Sequence, residues 1–518
     1  MTRPGPRPVK LPRKPVKAAA AAATPPSDLL PRDRLEWVEA WGMASKSMAH
    51  VYRPSRAEGI AEVFAAARRQ GRTVAFRGGG RSYGDAFQNG EEIVLDLSRM
   101  NRILEWNPDT GIVKVEPGVR IVDLWRYIVG DGWWPPVVSG TMFTTMGGCA
   151  SMNIHGKNAY TAGPFGDHVQ EFTIMLPSGE VRTANRKNDP HLFRGAIGGF
   201  GMLGAFTSLT LKMKRVYSGS VEVYPRRVNN FHEMASAFEE NAESMDYMVG
   251  WVDGFARGKG KIGRGELHFA RQLDPGEDMA PAQTLRAEKQ EIADAIMGIV
   301  PMSILWQFMR LVVNNPGMKC INTAKYLAQL RPGGGKSYLQ THAAFHFLLD
   351  YVPNWKRAYG AGGLIQYQSF VPRQHAVRVF TEQMRLSQAR GIVPYLGVTK
   401  KHLPDEFLIS HGVDGYSMAL DYPVTDRNRK TLWKLCHEMD EIVLAAGGRF
   451  YFAKDSTMRE GTAQRYLPKE SIQAFERLKS TCDPEGLLCT NLYRRIFGLQ
   501  GMVAQAGAER PAAIVEPA

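Results

Sequence analysis

The chain is 518 residues long, 44% hydrophobic and 22% charged, which suits two or three folded domains and argues against a wholly disordered or membrane-spanning protein. A formal net charge of +14 points to anionic partners: nucleic acid, phosphorylated ligands or an acidic membrane surface. The five cysteines are scattered, odd in number and form no C-x-x-C pair, so neither a disulfide framework nor a zinc site is expected, and a reducing compartment fits best.

The opening segment, MTRPGPRPVKLPRKPVKAAAAAATPPS, has no acidic residue before Asp28. Proline, alanine and unopposed charge cannot build a core, so residues 1–35 are expected to be a disordered tail. Its alanine run is too weakly apolar for a secretory signal. A cytoplasmic protein is expected, peripheral at the inner membrane face if the basic tail meets anionic lipid. SRAEGIAEVFAAARRQG (55–71) has the period of an amphipathic helix, with Ser55 as N-cap and Gly71 as stop. TVAF then reads as a strand before a glycine loop, and IVLDLS as another. GIVKVEPGVRIVDLWRYI reads as strand, Pro-Gly turn and helix. A loop of small residues, TTMGGCASMNIHGKN, precedes the hairpin FTIMLPSGEVRTA, which turns at Ser178 and Gly179. GGFGMLGAFTSLTLKMK closes this α+β region with a glycine turn and a strand.

From about residue 218 the texture changes. GGLIQYQSFVP and GYSMALDYPV are strand-like, VRVFTEQMRLSQARG is helical, and a second α+β domain is expected. IMGIVPMSILWQFMRLVV (296–313) is apolar but broken by Pro301, Gln307 and Arg310. It is too interrupted for a membrane span and reads as a packed core helix, with a lipid-facing helix as the alternative. Residues 498–518 read as a second flexible tail.

VAFRGGGRSYGDAFQ (74–88) crowds glycines directly after a strand. Glycines there permit φ > 0 and leave backbone N–H groups bare, as a phosphate cradle requires. The pattern is not G-x-G-x-x-G and no long helix follows, so a Rossmann reading fails. A tight surface turn would explain one such loop, but SGTMFTTMGG, AGPFGDHV and GGFGMLG follow in the same domain. Several glycine loops converging on one extended ligand suit a dinucleotide.

The series RGGGRSYGD, DLSRMNRI, VEPGV, SGT…MGG…NIHGKN, AGPFGDHV and GGFGMLG resembles the FAD-binding domain of the vanillyl-alcohol-oxidase/PCMH flavoproteins. The likeness continues through GGLIQYQSFVP, LGVTKK, GYSMALDYPV and GGRFYFAKDS to DPEGLLCTNLYRR, over about residues 40 to 497. IHGKN and AKDS are specific to the branch of decaprenylphosphoryl-ribose 2′-oxidases, whereas the glycine loops are shared with aldonolactone oxidases. The resemblance implies an α+β fold: a two-subdomain PCMH-type FAD-binding domain (40–217), an α+β substrate or cap domain on an antiparallel sheet (218–440), and a C-terminal return to the FAD domain (441–497).

By that resemblance, FAD is held by Arg77, Gly78, Gly79, Gly80, Arg81, Ser82, Tyr83, Gly84, Gly140, Thr141, Gly147, Gly148, Asn153, His155, Gly156, Asn158, Gly163, Gly201, Tyr451 and Lys454. Aldonolactone oxidases carry a flavin-linking histidine where this chain has Arg81, so noncovalent FAD is expected. Oxidising a secondary alcohol needs hydride transfer to flavin N5, loss of the hydroxyl proton and a cation near the flavin. Lys454 is the candidate cation, and His155 the candidate to position the substrate or take its proton; Tyr83 completes the catalytic set. A snorkelling surface lysine and a structural loop histidine are the plainer alternatives for the first two. Gln366, Gln368, Lys400, Trp251, Ser417, Ala419 and Tyr451 fall where the family lines its substrate pocket. Gln366 and Gln368 flank Tyr367, so a strand turns both to one side. Lys400 and Lys401 are candidates to meet a phosphate, or else a solvated pair. Ser417 and Ala419 replace an asparagine and a cysteine of the best-known members, which bears on sugar identity rather than on the flavin chemistry.

Three functions compete. The leading one is an FAD-dependent oxidase acting at the 2′-hydroxyl of a polyprenyl-phosphate-linked ribose, the first half of an epimerisation completed by an NAD(P)H-dependent ketoreductase. The second is a soluble sugar or aldonolactone oxidoreductase of the same fold, taking a free sugar. The third, a flavin-free nucleic-acid-binding protein, is disfavoured because basic patches with interleaved aromatics are absent; no nucleic acid and no metal are expected.

Overall fold

The computed structural model describes residues 30–258, 260–296, 300–328 and 335–498. Most of the N-terminal tail and all of the C-terminal one beyond Gly498 therefore lie outside the described residues. Ordered chain begins earlier than expected, with a buried Leu30 and a strand at Leu35–Glu39. That strand pairs antiparallel with Lys46–Tyr52 and so becomes the edge of the first sheet.

The first domain holds two main sheets and a two-stranded ribbon that pairs Trp133–Trp134 with Lys214–Arg215. One is four-stranded, in the order Leu35–Glu39, Lys46–Tyr52, Ile93–Asp96, Val74–Arg77, with parallel pairing along its inner strands. The helix Ala57–Arg69 packs Ile60, Val63, Phe64 and Ala67 onto it. The expected serine cap is not used: Arg56 occupies the N-cap and makes no side-chain bond there. Gly71 turns the chain out of the helix at φ +59°. The other sheet is five-stranded and antiparallel, in the order Ile103–Asn107, Ile112–Val115, Ala205–Lys212, Val169–Met175, Val181–Asn185. The predicted hairpin turns at Gly179, φ +90°.

The second domain is built on one eight-stranded antiparallel sheet. Its order is Tyr338–Thr341, Ser220–Val228, Gly265–Gln272, Tyr247–Val252, Leu396–His402, Gly415–Pro423, Leu364–Pro372, Arg449–Phe450. The helices Phe231–Asn241, Arg373–Ala389 and Arg429–Leu444 cover one face, burying Met418, Leu420 and Tyr422. Period-two alternation turns Ser417, Ala419 and Asp421 to the opposite face.

After Arg449–Phe450 the chain returns to the first domain. Ala453 O accepts from the Tyr83 amide (2.9 Å), and Leu487 and Cys489 bracket Val74 with backbone bonds of 2.7 and 3.0 Å. Among its described residues, the apolar stretch 296–313 does not form a core helix, and 297–299 lie outside them. Its helical part is Leu305–Val312, which has no buried residue and sits on the turn Trp355–Tyr359. No helix among the described residues is long and apolar enough to cross a membrane.

Candidate active site

A cavity of about 540 Å³ runs between the domains, within the size range of ligand pockets. Arg77 to Tyr83 form one wall. A Cβ on Gly78 would strike the Thr145 hydroxyl, and one on Gly79 the Phe143 carbonyl. Glycine is needed here because two loops pack backbone against backbone, and Gly80 turns at φ +60°. The amides of Gly79, Gly80, Arg81 and Ser82 donate to nothing among the described residues. A row of bare N–H groups on a cavity wall is an anion cradle.

Charge around this wall is divided between committed and free groups. The Arg77 guanidinium is held by Asp96 at 2.9 Å. Arg81 lies over the Phe143 ring (5.2 Å), and its buried Nε has no partner among the described residues. Gly140, Thr141, Gly147, Gly148 and Gly201 complete this end of the cavity. Asp350 reaches in from the second domain and accepts from Thr141 Oγ1 and the Met142 amide, both at 2.7 Å. Burial pushes its carboxyl up to about 6, against those bonds and the nearby Arg81.

At the other end the C-terminal return delivers Tyr451 and Lys454. Lys454 Nζ sits 3.9 Å from the centroid of the Tyr83 ring, a cation–π contact on the cavity wall. Burial lowers Lys454 to about 7; the Asp421 carboxylate opposes that shift and Lys400 adds to it. Asp421 is fully buried, and burial raises it to about 7 against the Gln366 hydrogen bond and the Lys454 charge. Gln366 Nε2 donates to its Oδ1 at 2.5 Å, while Oδ2 has no hydrogen-bond partner among the described residues.

The sheet supplies the remaining wall. Gln366 is paired with Asp421, Gln368 with Ala419 and Lys400 with Ser417 across adjacent strands, and Gln366, Gln368, Lys400, Trp251, Ser417 and Ala419 all line the cavity. The two expected lysines separate. Lys400 faces the cavity and burial lowers it to about 8, whereas Lys401 points to the helix side and pairs with Glu239 at 2.6 Å.

His155 accepts from the Gln368 amide at its Nε2 (3.1 Å). His402, His411 and Tyr451 surround it with ring centroids 4.9, 5.6 and 5.4 Å away. Burial holds its pKa well below the usual histidine range, and Lys400, His402, His411 and Lys454 push the same way. A neutral ring follows, with a buried Nδ1 that has no partner among the described residues. Such surroundings suit a hydrogen-bonding group better than a proton store.

Five expected cofactor residues do not line the cavity. A Cβ at Gly84 would meet the Asp455 carbonyl, so that glycine serves the close approach of the return segment. Asn153 accepts from the Gly166 amide (2.8 Å), and Asn158 donates to Pro136 O (2.8 Å). Gly156 is crowded by the Asn158 side chain, and Gly163, at φ +68°, by Asp167. These residues brace the loops behind the wall. Residues not foreseen as functional are Asp421, Asp350 and His402, whose Nε2 hydrogen-bonds the Ser417 hydroxyl at 2.8 Å. Lys400 and His402 share a strand face, so the alternation that paired the glutamines also signals His402. Nothing local signals Asp350.

Bare amides, the buried and unpartnered Nε of Arg81, and unpartnered polar atoms on His155 and Tyr451 among the described residues fit an extended anionic cofactor at one end and a polyhydroxylated ligand at the other. Comparison with known proteins agrees. Residues 48–185 match the family model for an FAD binding domain. The chain is 30% identical to decaprenylphosphoryl-beta-D-ribose oxidase of Mycolicibacterium smegmatis, over 88% of this chain and 96% of that protein. An uncharacterized protein of Streptomyces coelicolor is 26% identical over 70% of this chain and 96% of its own length. D-arabinono-1,4-lactone oxidase of Eremothecium gossypii is 26% identical, covering 42% of this chain and 43% of that one.

Proposed function

This chain belongs to the family of FAD-dependent oxidoreductases that includes decaprenylphosphoryl-β-D-ribose oxidase and acts on CH–OH groups, and on that premise we propose that it oxidises the 2′-hydroxyl of a polyprenyl-phosphate-linked ribose. The observation that carries the reading is one continuous cavity, with an anion cradle at one end and Gln366, Gln368, Ser417 and Lys400 on a single wall at the other. Bound FAD supplies the hydride acceptor. The chain's own part is to hold a cation, orient a hydroxyl and keep water out. Lys454 supplies the positive charge, which Asp421 favours against the larger effect of burial, and it is seated on Tyr83. His155, neutral and fixed by Gln368, presents a hydrogen-bonding ring to the sugar. Lys400 offers charge to a phosphate, and Trp251, Leu396 and Val398 give the cavity apolar walls.

We place the enzyme at the inner face of a membrane, where such a lipid resides, and assign the 2′-keto product to a separate NAD(P)H-dependent ketoreductase. A second reading, oxidation of a free sugar or aldonolactone, draws on the likeness to D-arabinono-1,4-lactone oxidase. Turnover on polyprenyl-phosphoryl ribose against free ribose and aldonolactones separates the two. Preference for a soluble sugar would overturn the first.

A further inference from the structure

The helix Leu305–Val312 carries its apolar stripe outward. Ile304, Phe308, Leu311 and Val312 are 38%, 58%, 76% and 42% exposed. They recur at the spacing of one helical face. In a soluble monomer such a stripe ordinarily turns inward, and exposed apolar groups this closely set mark a docking surface.

Charge identifies what docks. Between Asp294 and Asp350 the chain contains no acidic residue, yet its described residues there carry Arg310, Lys319 and Lys336, beside Lys325, which turns to the cavity and pairs with Glu266 at 3.8 Å. A second copy of this chain would bring the same cations against them and be repelled. An anionic lipid surface offers both an apolar phase for the stripe and negative headgroups for the cations, the pairing that holds a helix flat in a membrane interface.

Position favours the same occupant. On its inner side Trp306 packs under Arg357 (5.7 Å), and the helix rests on the turn Trp355–Tyr359. Trp355 lies 5.2 Å from Trp41, which lies 4.9 Å from Tyr83, the ring under Lys454. Leu348, 47% exposed, and Lys325 line the cavity on this side. We propose that Leu305–Val312 is an interfacial helix that seats the enzyme on an anionic bilayer. For what it delivers to the pocket, a lipid-linked sugar, the proposal rests on the substrate reading above; the contact itself rests on the surface.

The test is flotation of the full-length protein with phosphatidylcholine vesicles containing phosphatidylglycerol, with no sugar present. Wild type should float at low salt and less at high salt. The double variant Phe308→Asp, Leu311→Asp should lose at least about tenfold in vesicle partition, with flavin content and turnover on detergent-dispersed substrate unchanged. Wild type that stays unbound overturns the proposal. So does a double variant that floats equally well, because the basic tail alone then carries binding, or one whose only change is dissociation of a dimer in ultracentrifugation. Vesicle binding through this stripe by an enzyme that oxidises only free sugars would overturn the substrate reading and leave the docking in place.

Discussion

Replacing Asp421 by asparagine removes one buried negative charge and little else. The amide oxygen of asparagine can still accept from Gln366 Nε2, the bond now made at 2.5 Å. Lys454 loses the one carboxylate that opposes its desolvation. A buried opposite charge in direct electrostatic reach is worth roughly 1–3 pH units to its partner, so the lysine of the variant should shed its proton at lower pH. The sign follows from burial. In the parent, Lys454 is lowered to about 7, and the cation is present below that value and lost as pH rises through it. Turnover that needs the cation should therefore fall on the alkaline side, and Asp421→Asn should move that limb towards acid. At pH 8 roughly a tenth of a lysine with such a pKa is protonated, and each further unit of depression cuts this about tenfold. At pH 6 the two proteins should converge, because Asp421, itself raised by burial to about 7, is largely protonated there and its replacement removes little charge. The assay is kcat against pH, with flavin content measured on each sample. A variant profile that overlays the parent, or whose limb moves to higher pH, refutes the reasoning.

Lys454→Ala should give a folded protein with kcat reduced by about 10²-fold or more; near-normal kcat would remove Lys454 from the site. Ala419→Cys should fold, keep most activity and gain sensitivity to thiol-directed inhibitors, whereas the wild-type pocket should stay unlabelled. Cys149 is fully buried, and burial pushes its thiol up to about 12. Peptide mapping must place the label, since Cys320 is exposed and reacts in both proteins; stoichiometric wild-type labelling in the pocket would refute the placement. Acid precipitation should release the flavin into the supernatant because Arg81 cannot form the covalent link, and a yellow pellet would contradict this. Lys479→Met should cost about 3–5 kcal/mol in urea unfolding, because it strips the buried Asp483 of its ion partner; a loss under about 1 kcal/mol would show that the two amides on Asp483 suffice.

Much of the first domain was legible because its signals are local. Gly179 marks a hairpin, Pro117 and Gly118 a turn, and the spacing of Ile60, Phe64 and Ala67 a helix face. The facing of Gln366 and Gln368 followed from strand period alone. The cap at Ser55 was misread because the true N-cap, Arg56, uses no side-chain bond. Helix 305–312 was misread because apolar content says nothing about what covers a face. Asp421 escaped as a charge partner because its meaning depends on Lys454, which arrives from another strand crossing. Asp350 depends on a loop of the other domain. Pairings of that kind are set by tertiary approach, and no window of sequence contains both members.

The C-terminal return also sets a schedule for biosynthesis. Arg494 donates to Thr73 Oγ1 across 421 residues, and Leu487 and Cys489 complete the backbone bonding of Val74. At about 5–20 residues per second of translation, roughly 20–80 s separate the emergence of these partners from the ribosome. Throughout that interval the Val74–Arg77 strand, paired on one side with Ile93–Asp96, leaves its outer edge open at Val74, an edge prone to wrong pairing. Expressing residues 1–217 alone would freeze the protein at that stage, so the flavin domain, although first to be synthesised, should be obtainable only as part of the finished chain.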